Sequence, residues 1–211
     1  MSTFPWNDYV FLVVAHALAV MSPGPDFAVV MKVATEDNSK RSLLVATGIA
    51  VGIGFHLAYC WAGLAVVASQ SNALMVLLQG LGAAYLFWLG LGAVKSSLKN
   101  KDEEPHATPL FMRHSSAFWL GFITNVLNVK ASLFFVSLFS QFVVWNSHPL
   151  TPYVYALSLI GVTWIWFVAL GLSLSKLLRK ARIQKAIGVC AGVVLIALSF
   201  YGIAEVAQKF L

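Results

Sequence analysis

Apolar residues run through most of the 211-residue chain with few interruptions, and the polar residues gather in short intervals between the runs. Runs of about 20 residues are what a helix needs to cross a hydrocarbon core. The pattern predicts six helices, at roughly 9–31, 42–69, 73–95, 116–144, 153–175 and 186–208. Strands of a membrane barrel would alternate apolar and polar residues over about ten positions, and no such segments occur. The expected fold is therefore an all-α integral membrane protein.

Composition leaves little for a soluble domain. Hydrophobic residues make up 59% of the chain and charged ones 10%, against about 25% charged in an average globular domain. No Lys or Arg precedes the first apolar run and no small-residue cleavage site follows it, so it reads as a span and not as a removable signal peptide. The segment 99–114 is charged and carries prolines, as a cytoplasmic linker between two three-helix halves, 1–98 and 115–211, would.

The net charge of +6 does not mark a nucleic-acid surface, because its carriers sit in short loops. Twelve Lys and Arg residues fall in the intervals after the first, third and fifth spans, Lys209 alone falls on the other side, and Lys130 lies inside span four. The positive-inside rule then places both termini outside the cytoplasm. Trp6, Tyr9, Trp145 and Tyr153 stand near the outer boundary, where interfacial aromatics belong. Six spans with both ends outside give the halves opposite orientations, so likeness between them would be a 3+3 inverted repeat. A shift of 104 residues brings Asp26 onto Lys130.

Two places disturb the apolar pattern. In span one, Ser22-Pro23-Gly24-Pro25-Asp26 interrupts the run. Prolines have no N–H, so the carbonyls of Ala19 and Met21 are expected to lose their helical donors, and the helix is expected to break. Such a break survives in a bilayer only where protein or water satisfies the freed groups. Ser22 suits a helix cap and Pro23 a first helical position. A restarting helix presents positive charge at its N-terminus beside the freed carbonyls, a pairing that suits a zwitterion. In span four, Thr124-Asn125-Val126-Leu127-Asn128-Val129-Lys130 has no proline, and a milder distortion is expected there.

Ionisable groups inside a span are functional candidates. Asp26 follows the first break, and Lys130 lies too deep in span four to snorkel. Helical rise puts Asp26 about 9 Å and Lys130 about 20 Å from the cytoplasmic boundary, which favours two charges bracketing a polar cavity over a tight pair. Asn125 and Asn128 share a helical stripe with Ser132 and can donate and accept. His56, one turn from Tyr59, is a candidate for carrying protons, together with Asp26. Tyr85 and Gln141 are weaker candidates. Gly48 with Gly52, and Gly188 with Gly192, permit close helix approach inside the protein or at a homodimer face. Cys60 and Cys190 lie within apolar runs as packing residues, and no metal-ligand cluster or nucleotide loop appears.

Three stretches carry a resemblance over nearly the whole chain: Met-Ser-Pro-Gly-Pro-Asp-Phe at 21–27, Gly-Ala-Ala-Tyr-Leu-Phe-Trp-Leu-Gly at 82–90, and Gly-Phe-Ile-Thr-Asn-Val-Leu-Asn-Val-Lys-Ala at 121–131. In order and spacing they resemble the LysE/RhtB family of bacterial amino-acid exporters, and the threonine-exporter branch in particular. The resemblance implies a transporter of the cytoplasmic membrane and not an enzyme. It would export amino acids or close derivatives such as threonine, homoserine or homoserine lactone, by proton antiport, without a cofactor. Carried over by position, it implies substrate contact at Pro23, Gly24, Pro25, Asp26, Asn125, Asn128 and Lys130. The chain departs from the family pattern at Asn128-Val129-Lys130, where Asn-Pro-Lys is usual, and at Ser140-Gln141-Phe142, where Pro-Gln-Phe is frequent. Competing readings are a thiol-redox carrier using Cys60 and Cys190, a receptor or scaffold, and a cation efflux protein.

Overall fold

The computed structural model describes residues 4–35, 39–98, 116–142, 150–174 and 180–208. The expected linker 99–114 lies outside them, as do Trp145 and Lys209. Among the described residues all regular structure is helical. Helices α1 (Trp6–Met21) and α2 (Pro25–Thr35) form one bent pair, and α3 (Ser39–Gln70) and α4 (Asn72–Leu98) follow. Helices α5 (Ala117–Val126) and α6 (Val129–Phe142) form a second bent pair. After them come α7 (Thr151–Ala169), which runs into a π-helical turn at Leu170–Leu174, and α8 (Ala181–Gln208). Four helices are long and apolar enough to cross a membrane, or six spans if each bent pair counts as one.

The first bend, of 56°, follows from the prolines. Ser22 N still donates to Leu18 O at 3.1 Å and Ala19 O at 3.3 Å, so the Ala19 carbonyl is not stranded as expected. The helix restarts when Ala28 N donates to Gly24 O at 2.9 Å. Gly24 thus takes the capping position and Pro25 the first helical one, two residues later than the Ser22 cap and Pro23 start read from sequence. Proline suits that position because its N–H would have had no partner there.

The second bend is not milder. It measures 55°, although α5 and α6 meet without a proline. The cause is Asn128, whose Oδ1 accepts from Lys130 N at 3.1 Å and Ala131 N at 3.4 Å, the contacts of a helix cap. Asn128 N turns back to Asn125 O at 2.9 Å and closes α5. A side chain does here what two prolines do at the first break.

Glycines let the neighbouring helices close in. A Cβ on Gly48 would run into Phe118 O, and one on Gly121 into Val45 O, so α3 and α5 touch backbone to backbone. A Cβ on Gly192 would come within 2.6 Å of Gly90 O, which holds α8 against α4. Both glycine pairs singled out in the sequence are thus used inside the chain. The core is split in two. One cluster gathers Leu12, Ile53, Leu86, Phe135, Tyr155 and Leu195, and the other Phe27, Val30, Ile49, Leu120 and Phe167. The two bent pairs cross at the seam between them. Large apolar side chains such as Trp88, Leu157, Ile165 and Phe200 stay exposed on the outside, as a lipid-facing surface requires.

Candidate functional site

At the seam lies a cavity of about 600 Å³, open solvent at its mouth included. Most of its polar lining comes from the two breaks: Ser22, Gly24 and Asp26 from the first, Asn125, Asn128 and Lys130 from the second. Each break is completed by the other. Asp26, in the first turn of α2, accepts at Oδ2 from Asn125 Nδ2 at 2.9 Å and from Asn128 Nδ2 at 3.2 Å. Lys130, in the first turn of α6, reaches the other way. Its Nζ donates to Ser22 Oγ at 3.4 Å and to Pro23 O at 3.3 Å. The cation therefore sits at the carbonyl end of α1, where the helix dipole is negative.

Two features leave this arrangement open to a ligand. Asp26 Oδ1 and Asn125 Oδ1 are buried and have no hydrogen-bond partner, an unfavourable state that an added donor would relieve. The contacts of Lys130 Nζ are long for charge-assisted bonds, so the ammonium is not fully engaged by the protein. Asp26 and Lys130 share no hydrogen bond with each other; they flank one space.

The other sequence candidates fall around it. Pro23 contributes its carbonyl, and Pro25 begins α2 without lining the cavity. His56 is buried behind the site. Its Nε2 lies 3.0 Å from Asn125 O and its Nδ1 2.9 Å from Tyr59 OH. A carbonyl only accepts, so in the neutral ring Nε2 donates to Asn125 O and Nδ1 accepts from Tyr59. The ring also stacks on Phe135 at 5.6 Å, so His56 holds the Asn125 backbone in place. Tyr85 packs against the core, and Gln141 Nε2 donates to Gln79 O at 2.6 Å in an α4–α6 contact away from the cavity. Cys60 is buried and Cys190 exposed, and neither lines the cavity. Among the described residues no group of three His, Cys, Asp or Glu stands ready to hold a metal.

One polar lining residue is not among the sequence candidates. His16, in α1, is buried against the cavity with its Nε2 2.8 Å from Thr163 Oγ1. The available signal was a second ionisable type in span one, ten residues before Asp26.

The family model of the LysE type translocator matches residues 17–205. The chain belongs to this family. The chain is 30% identical to the threonine efflux protein of Salmonella typhi over 84% of its own length and 88% of that protein's. To the threonine efflux protein of Escherichia coli K12 it is 31% identical, over 75% of its length and 78% of that protein's. To the leucine efflux protein of Klebsiella pneumoniae it is 29% identical, over 93% and 92%. No solved structure matches significantly. As a member of the LysE type translocators with several apolar helices, the chain is a multi-pass membrane protein.

Proposed function

We propose that this chain exports amino acids from the cytoplasm, binding them in the cavity between the two broken helices. The observation that carries the reading is the pair of opposite charges on one space: Asp26 with an unpartnered Oδ1, and Lys130 with loosely held N–H groups. A zwitterion fits such a pair. Its ammonium goes to Asp26 Oδ1, with Asn125 Oδ1 as a second acceptor, and its carboxylate goes to Lys130 and the N-terminus of α2. The names of the relatives, which include threonine and leucine efflux proteins, point the same way.

Export against a gradient needs a driving ion, and the proposal is proton antiport with alternating access. Asp26 is its proton carrier, free to hold either the substrate ammonium or a proton. His56 stands behind as a relay that reaches the cavity through Asn125. An efflux screen of vesicles loaded with each amino acid, with and without a pH gradient, tests this. Uphill export of some amino acid that collapses with the gradient is expected; metal-ion flux, or no substrate flux at all, would favour a rival reading.

The architecture proposed is six spans in an inverted 3+3 repeat, with halves 1–98 and 115–211 joined by the cytoplasmic segment 99–114. In this reading each bent pair, at 56° and 55°, is one broken span. At about 1.5 Å per residue each pair then reaches about 27–33 Å, close to the hydrocarbon thickness. Pro25 and Val129, which start the second helix of each pair, are 104 positions apart. Asp26 and Lys130 hold the same place in their helices. The bias of Lys and Arg to one side supports termini outside the cytoplasm, and the efflux relatives, which come from bacteria, support the cytoplasmic membrane of a bacterium as the location.

A further inference from the structure

The relatives include exporters named for an amino acid with a side-chain hydroxyl and for one without, so they leave open which of the two this chain prefers. We propose that His16 reads the substrate's side chain, accepting a hydrogen bond from its hydroxyl at Nδ1 and so favouring hydroxyl-bearing amino acids over apolar ones of the same shape. The proposal rests on the amino-acid export reading above.

His16 is 1% exposed, and its Nε2 lies 3.2 Å from Leu159 O and 2.8 Å from Thr163 Oγ1. The carbonyl only accepts, so Nε2 carries the proton and in the neutral ring Nδ1 is an acceptor. That Nδ1 is buried with no partner. The ring lines the cavity and packs 5.4 Å from Phe135 and 6.3 Å from Phe134, which line it too. Away from the two breaks the remaining lining is apolar, with Ala19, Ile53, Leu89 and Leu195. His16 is thus the polar feature of an otherwise greasy end. Between His16 and Ser22 the helix rises about 9 Å, enough for a small amino acid to place its carboxylate by Lys130 and its hydroxyl by His16, with a hydrogen bond at each end.

Discrimination follows from this acceptor. A wholly apolar pocket separates a hydroxyl from a methyl weakly, whereas a site that hydrogen-bonds the hydroxyl penalises the analogue that seals the partner away from water. Threonine and valine have the same shape and differ by this one group. In vesicles loaded with either, the unaltered protein is expected to export threonine faster. His16→Phe should lower the threonine-to-valine efflux ratio about tenfold, the usual worth of one hydrogen bond of this kind, while valine efflux persists. His16→Gln, which keeps an acceptor, should retain most of the preference. His16→Met serves the same purpose should the phenylalanine variant fail to fold. Equal efflux of both amino acids by the unaltered protein, or an unchanged ratio in His16→Phe, would overturn the assignment and leave amino-acid export standing. Export of neither by the unaltered protein would overturn it as well. An efflux screen in which no amino acid moves would instead bring down the export reading itself.

Discussion

The two breaks reach the same bend by different chemistry. Between α1 and α2 the turn is written into the backbone, because Pro23 and Pro25 have no N–H to give. Between α5 and α6 it depends on one side chain, Asn128, capping the helix that follows. The first break is permanent; the second holds only as long as that cap does. The charges are divided the same way. The proline break carries the acid, which engages the asparagines of the other, and the asparagine break carries the lysine, which engages the carbonyl end of the first. Neither break satisfies its own charged side chain, so the two must meet, and where they meet a cavity remains.

Removing a charge should break this comparison most severely. Lys130→Met takes the cation from the carbonyl end of α1 and leaves Asp26 without an opposite charge, and efflux from vesicles is expected to fall about a hundredfold or more, in line with truncation of buried charged partners. Lys130→Arg should keep a measurable part of the rate. Next in size is Gly52→Ala. Its Cβ would stand 2.5 Å from Asn125 Oδ1 and 3.0 Å from Asn125 Cβ, whereas Gly63 has nothing within 4 Å. Gly52→Ala is expected to lower stability by about 1–3 kcal/mol through overpacking, and to slow efflux by moving Asn125 off Asp26. Gly63→Ala is the control, and thermal melting with efflux rates reads both.

The smaller effects sharpen the contrast between a backbone break and a side-chain break. Asn128→Ala removes the cap and should cost about 1 kcal/mol in thermal melts, with a further loss of efflux from the donor it takes from Asp26. Val129→Pro should change stability by no more than about 1 kcal/mol and leave transport intact, because the first helical position tolerates proline. Val129 is 68% exposed, so the ring meets no packed neighbour. A large loss in Val129→Pro would mean that the second break needs to straighten during the cycle.

Much of this was legible because it lies in local chemistry. Apolar runs marked the helices, and a Pro-Gly-Pro stretch beside an acid marked the first break. The size of the second bend was not legible, since an asparagine in an apolar run reads equally as interhelical glue, and only the positions of Lys130 N and Ala131 N reveal a cap. The register of the first restart was misread for a similar reason. Ser22 has a capping side chain, but its hydroxyl receives Lys130 from a distant helix, and Gly24 supplies the carbonyl that starts α2. His16 carries no signal of its own in the sequence, because its significance depends on neighbours that leave Nδ1 unpaired and lie more than 140 positions away.

The central claim is that Asp26 faces the transported solute from within the break, and Asp26→Asn tests it most directly. Its amide is nearly the shape of the carboxylate but has lost the charge. In vesicles with an imposed pH gradient, the purified variant is expected to insert and melt much as the unaltered protein does yet to accumulate no amino acid against a gradient. Uphill export at the normal rate would contradict the account.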